Sequence, residues 1–208
     1  AICDTTINAE DSDALKKYKK KVEASKQKGL ARKSALDAFE EGNDWIKIFY
    51  ANYTFEIDFV KNSNDREVVN IIEDVYADQP TRDQAKSDLE SNDVAIYGKR
   101  VLTMAKQEGK GWFAIMLGKH ISYNTIIPEY IIDAILFSKE THSTNIIADI
   151  IDYRMMQNFK QDDKLDFTAC RETLIKYRNG DASVEDLSFD FDLIIPNDQI
   201  LTLLNKVK

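Results

Sequence analysis

Apolar residues recur at helical spacing through most of the chain. Val68, Ile71, Ile72 and Val75 repeat at three- and four-residue intervals, with Asn64 and Glu67 set ahead of them as a capping box. Asp78-Gln79-Pro80 breaks this helix and Thr81 with Gln84 opens the next. That next helix is almost wholly polar over 81–92, which predicts an exposed helix or an inserted lobe. A further helix over 94–106 ends at Gly109, and Trp112, Phe113, Ile115, Met116 and Leu117 predict an apolar helix after it. Pro128 suits the first turn of a helix whose buried stripe is Ile131, Ile132, Ile135 and Leu136. After a turn over 141–144, Ile147, Ile150, Ile151 and Met155 form another amphipathic helix. The segment 168–178 is helical up to Gly180, and Asn197 or Asp198 caps a last helix carrying Ile200, Leu201, Leu204 and Val207.

Three stretches read as strands instead. Residues 1–4 suggest a short buried strand that delivers Asp4 at its carboxyl end, where ligands collect in open α/β sheets. Residues 45–59 are dense in aromatic and branched side chains with no proline. A period of two there puts Thr54, Glu56 and Asp58 on one face and Phe55, Ile57 and Phe59 on the buried one. Residues 188–194 alternate similarly, with Asp190 and Asp192 on a solvated polar face. Between the first two strands lies a lysine-dense stretch over 8–28, followed by a helix over 34–41 that stops at Gly42. The lysines, Lys16, Lys17, Lys19, Lys20 and Lys21 foremost, read as a solvated helix face or loop. Their functional reading is electrostatic contact with DNA phosphates. The expected class is therefore α/β: an α/β part over 1–61 and a predominantly helical subdomain over 62–208 that includes Lys110.

Composition narrows the function. A chain of 208 residues with 43% hydrophobic residues, seven glycines and three prolines can build a real core. No apolar run approaches the roughly 18 residues of a membrane span, and no leader-like segment opens the chain, so a cytoplasmic protein is expected. Two cysteines, Cys3 and Cys170, make neither a disulfide framework nor a metal-ligand spacing. Having only His120 and His142 argues against a histidine-rich zinc centre, and His120 reads as structural. The net charge of −8 argues against a general nucleic-acid-binding surface and leaves room for a local basic stripe.

Candidate chemistry concentrates at two places. Gly109-Lys110-Gly111 puts a cation between two glycines at the start of an apolar helix, where free N–H groups favour a phosphate. It is not a P-loop, since the upstream glycine and following Ser/Thr are missing. Upstream, Glu56 and Asp58 on one strand face would repel each other unless a cation sat between them.

Taken together, Thr54-Phe55-Glu56-Ile57-Asp58, Lys110-Gly111-Trp112-Phe113-Ala114 and Ile127-Pro128-Glu129-Tyr130-Ile131-Ile132-Asp133-Ala134-Ile135 resemble, in that order, segments of the overcoming-lysogenisation-defect family of ATP-dependent endonucleases. The resemblance covers roughly residues 1–137. It implies a Toprim-like α/β domain and metal-dependent DNA phosphodiester hydrolysis by a two-metal mechanism, in the setting of anti-phage defence. Asp4, Glu56 and Asp58 would be metal ligands, Lys110 the catalytic cation at the scissile phosphate, and magnesium or manganese the metal. The partners implied are DNA, an upstream ATPase domain that alone would use ATP, and further copies of the chain. Two features depart from the family pattern. The opening Toprim glutamate has no counterpart, and Thr6 stands where a second aspartate belongs. The chain is accordingly expected to be a fragment, weak or inactive in isolation. The rival expectation is a non-catalytic helical interaction module with a degenerate Toprim remnant.

Overall fold

The computed structural model describes residues 4–138 and 143–207. Residues 1–3 of the expected strand over 1–4, including Cys3, lie outside them, as do His142 and the start of the expected turn at 141, and Asp4 is not in a strand. Twelve helices follow one another along the described chain: α1 Asp13–Glu40, α2 Phe55–Lys61, α3 Asp65–Val69, α4 Ile72–Val75, α5 Gln79–Leu89, α6 Val94–Glu108, α7 Lys110–Gly118, α8 Glu129–Phe137, α9 Thr144–Gln161, α10 Thr168–Asn179, α11 Val184–Ile194 and α12 Gln199–Lys206. Among the described residues there is no strand and no sheet. The expected α/β, Toprim-like class is therefore corrected to an all-helical one.

The correction has local causes. Of the expected strand over 45–59, residues 46–50 run without helical or strand assignment, and no β-ladder forms with them among the described residues. The run then turns helical, since the Asp58 N–H donates to Thr54 O at 2.9 Å. Helical spacing exposes Phe55 and buries Glu56 and Asp58, the reverse of the strand expectation, while Ile57 and Phe59 stay buried. At 188–194 a capping box wins over the alternation: Ser183 Oγ accepts from the Asp186 N–H, and Asp186 returns to the Ser183 N–H at 2.8 Å. Those residues belong to α11, with Leu187 and Phe191 in a core.

The chain divides into two compact units, Ala1–Tyr130 and Ile131–Lys208. The boundary expected at residue 61 falls inside the first unit, at the end of α2. In the first unit α2 packs mainly on α6, and α5 and α7 pack on α6 as well. Asp93 caps α6 through the Ala95 N–H at 2.8 Å, and Tyr97, Val101, Met104 and Ala105 form its buried stripe. Ile57, Val68, Ile71 and Leu89 complete the core around them. The helix expected over 81–92 starts earlier, at Gln79 behind the Asp78 cap, with Pro80 inside its first turn.

Asn64 and Glu67 do not form the expected capping box, because their side chains are used elsewhere. Asn64 Nδ2 donates to Ile126 O at 2.8 Å, and Asn64 Oδ1 accepts from the Ile126 N–H at 2.7 Å. Glu67 Oε1 accepts from the Thr125 hydroxyl at 2.9 Å. These buried groups pin the loop that leads to Pro128 and α8. The expected buried stripe of α8 is only half-buried, with Ile135 exposed, and α8 joins neither core cluster.

The second unit has its own core, built from Ile147, Ile151 and Met155 of α9, Cys170 and Leu174 of α10, Leu187 and Phe191 of α11, and Ile200 and Leu204 of α12. Ile150, expected in the α9 stripe, is exposed. Gly180 ends α10 at φ +81°, a conformation that favours glycine, and lets the Asp181 N–H reach Lys176 O at 2.8 Å. Among the described residues no helix is long and apolar enough to cross a membrane.

Candidate functional site

Helix α2 brings Glu56 to the start of α7. Gly109 adopts φ +80° and ψ 135°, which ends α6 and starts α7 in one residue. Only a residue without a Cβ takes that turn at no cost, so the glycine fixes where Lys110 emerges. A Cβ added to Gly111 would meet nothing within 4 Å, so the space beside Lys110 is open. Lys110 Nζ lies 3.0 Å from Glu56 Oε1. The lysine side chain is 70% exposed and the carboxylate 10%. One face of this ion pair is thus held by the core and the other is free to meet a ligand.

Burial opposes ionisation of Glu56. Its own backbone N–H, the neighbouring Thr54 hydroxyl and the Lys110 ammonium outweigh burial and hold the carboxyl below its ordinary range. The Thr54 hydroxyl acts here by proximity, because its buried oxygen makes no hydrogen bond of good geometry. Asp58 is more deeply buried, at 3% exposure. Its Oδ2 accepts from the Tyr53 N–H at 3.2 Å, while the buried Oδ1 has no hydrogen-bond partner among the described residues. Two phenols feel these charges. Tyr130 is pushed up by burial and then by Asp58 and Glu56, and Tyr97 by burial and then by Tyr53, Asp58 and Asp93. Neither tyrosine stands out as a site residue in the sequence, although Tyr130 sits within the Pro128-Glu129-Tyr130-Ile131 run.

The structure thus joins Lys110 to Glu56, sets Asp58 two residues further along α2, and leaves Asp4 in the segment before α1. Asp4 is exposed in the segment preceding α1, where Oδ1 accepts from the Thr6 N–H at 2.9 Å. That bond, then the Thr6 hydroxyl, lowers its pKa. On a helix Glu56 and Asp58, two residues apart, leave the axis about 200° apart, so they do not share a face as strand residues would. Among the described residues no three His, Cys, Asp or Glu side chains gather as a metal-holding group. A magnesium or manganese ion needs several oxygen ligands converging in near-octahedral array, and Asp4, Glu56 and Asp58 do not supply one together. Asp190 and Asp192 are occupied separately, by the Thr173 hydroxyl at 2.6 Å and by the Asn197 N–H at 3.4 Å.

No protein-family model matches this sequence, and no curated protein and no solved structure matches it either.

Proposed function

We propose that this chain is the helical, phosphate-facing part of a DNA endonuclease of the overcoming-lysogenisation-defect kind, acting in the cytoplasm in anti-phage defence. The observation that carries the reading is the Lys110–Glu56 pair at 3.0 Å, with its cation exposed at a helix start and its anion buried. A buried carboxylate that anchors an exposed ammonium limits the rotamers of a long side chain before any ligand arrives. Such pre-organised positive charge is what a phosphodiester needs as negative charge builds on its non-bridging oxygens. Lys110 is the catalytic residue on this reading. Glu56 is its positioning residue, and the open space beside Gly111 admits the phosphate. The hydrolysis is metal-dependent. Magnesium or manganese ligands beyond this chain's carboxylates, and the ATP-using domain, belong to other parts of the protein.

The test is plasmid nicking by the intact natural polypeptide with magnesium or manganese. Lys110→Ala should cut the rate by about 100-fold or more, the usual effect of removing one pre-organised donor to a developing anion. Lys110→Arg should restore only part of it, since a planar guanidinium does not occupy the place of a compact ammonium. Lys119→Ala, a neighbouring exposed lysine, should cleave normally. Equal cleavage by Lys110→Ala and the unaltered protein would overturn the assignment.

A non-catalytic assembly module is the second reading. It is favoured by Ile146, Ile150 and Tyr153, which share the outer face of α9, opposite the buried Ile147, Ile151 and Met155, and are all exposed.

A further inference from the structure

The 28-residue helix α1 has no buried residue, and its charge is opposite to that of the chain as a whole. Between Ala14 and Leu36 stand nine basic residues and one acidic residue, a net of +8 in a protein whose total is −8. These charges are not spread evenly around the helix. At 3.6 residues per turn, Lys17, Lys21, Lys28 and Arg32 fall within about 60° of one another and form a stripe about 22 Å long. Ala24 and Ser25, both small, lie along the middle of the same stripe.

The other side of α1 is already occupied. Thr5 donates to Glu23 at 2.6 Å, and Lys19 reaches Thr6 O and Asp11 at 2.7 Å each. From the C-terminal side the Tyr50 hydroxyl donates to Asp37 at 2.8 Å, Lys47 pairs with Glu40 at 2.7 Å, and Lys33 sits over the Tyr50 ring. The segments before and after α1 therefore fold back on the face carrying Lys19, Glu23, Lys33 and Asp37, and neutralise it. Among the described residues Lys17, Lys21, Lys28 and Arg32, on the far side, are exposed and make no salt bridge.

We infer that this stripe binds the phosphate backbone of double-stranded DNA. Four unpaired cations in a line about 22 Å long complement a duplex that presents one negative charge per about 1.7 Å of its axis. An anionic membrane is the weaker fit. Leu15, Val22 and Leu30 of α1 sit on the occupied side, and the exposed Phe39 at the C-terminal continuation of the stripe is a single ring, so no apolar face adjoins the stripe to enter lipid. Binding of this kind is independent of base sequence and falls steeply with salt. The inference rests on the nuclease reading only for the choice of DNA, and it places the grip on α1, apart from the Lys110–Glu56 pair.

The experiment is fluorescence anisotropy of a labelled duplex of about 20 base pairs, titrated with the 208-residue protein between about 50 and 200 mM salt. Replacing Lys17, Lys21, Lys28 and Arg32 with alanine should raise Kd at least about tenfold and lower the log–log salt slope by about 3 to 4, at 0.9 per lost contact. Alanine favours the helix, and circular dichroism checks that α1 persists. Should helix content fall, Lys21→Ala with Lys28→Ala makes the same test with about half the slope change. Replacing Lys99, Lys106, Lys119 and Lys160 with alanine removes the same charge elsewhere and should leave binding within about twofold. Lys110→Ala removes at most one phosphate contact and should lower the salt slope by no more than about 0.9, whether or not it cleaves, which separates this inference from the nuclease assignment. Three results would overturn it: no duplex binding at the lowest salt, equal loss in the control quadruple variant, or binding to phosphatidylserine vesicles in place of the duplex.

Discussion

Lys110 and Glu56 form an unequal pair, 3.0 Å apart, in which the lysine side chain is mostly in solvent and the carboxylate mostly in the core. Water screens the attraction on the lysine side, so its deletion should cost no more than about 1 kcal/mol, exposed pairs contributing about 0.2–1. The pH dependence is more telling. Glu56 titrates below its ordinary 4.5 in the folded state. The stability linked to it is therefore complete above 4.5 and is lost as pH falls through the lowered folded value. The difference between the unaltered protein and Lys110→Ala should be constant from pH 7 to about 5 and shrink below about 4.5. Urea unfolding across that range checks it, and a difference that grows with acid would rule out the pair as drawn.

Asn64 should matter far more to the fold than its polarity suggests. It is 1% exposed and satisfies both the N–H and the C=O of Ile126, together with Phe59 O. Asn64→Ala strands those backbone groups, at about 1–3 kcal/mol for each one left buried without water. A loss of about 2–4 kcal/mol is expected, with faster hydrogen exchange at the Ile126 amide. A loss under about 0.5 kcal/mol would mean that the loop is held by something else.

The legibility of the sequence divides along the same lines. Helices α6, α7 and α8 were readable because their signals are local: Asp93 before an apolar stripe, Gly109 at a junction, Pro128 ahead of α8. The Asn64–Ile126 pair spans 62 positions and leaves no local trace. Segment 55–61 misleads because Phe-Glu-Ile-Asp-Phe satisfies a period of two, while Ile57 and Val60 equally satisfy a helical one. Which period wins depends on whether a neighbouring strand exists, and no single stretch carries that information. At 184–194 a helix signal is present in the Ser183 to Asp186 spacing, and the alternation of Phe189 to Leu193 obscures it. Lys110 was legible as a helix-start cation, but its contact with Glu56 was not, since the two lie far apart in sequence.

In the second unit, Arg154 and Asp198 should prove strongly coupled. The guanidinium reaches both Asp198 oxygens, with Nε at 2.9 and 3.0 Å and a further nitrogen at 2.9 Å from Oδ2. The Arg154 side chain is 12% exposed and that of Asp198 3%, and Asp198 also caps α12 through the Ile200 N–H at 2.9 Å. Arg154→Met should cost about 3–5 kcal/mol because it leaves a buried charge unpaired. Adding Asp198→Asn removes that charge and keeps the cap, so the double variant should regain part of the loss. Additive costs in a double-mutant cycle would show that the two residues act independently.

Cys170 should be chemically silent in the folded protein. Burial, helped by Asp190, pushes its thiol up to about 11. Only about one thiol in a thousand is then ionised at pH 8, against roughly a quarter for a free cysteine. In a Cys3→Ser background, a thiol reagent at pH 8 should label Cys170 only after urea unfolds the second unit. Rapid labelling without denaturant would show that the core around Leu187 and Phe191 opens readily.

Asp58 offers the sharpest separation between a structural and a functional carboxylate in the first unit. It is nearly inaccessible, its Oδ1 has no hydrogen-bond partner, and no cation pairs with it among the described residues. A buried carboxylate in that state is a cost to the fold, since neutralising it removes a desolvation penalty. Asp58→Asn keeps an oxygen to accept from the Tyr53 N–H and removes the charge. Stability should hold or rise by about 1 kcal/mol. The phenols of Tyr97 and Tyr130, both held high in part by Asp58, should titrate at lower pH in an ultraviolet titration. A carboxylate kept at the expense of stability is one whose charge serves the site, so the same variant should lower DNA cleavage by the intact polypeptide. If Asp58→Asn instead costs 2 kcal/mol or more (about the range for breaking a buried network), the charge is part of the scaffold and Asp58 leaves the list of functional residues.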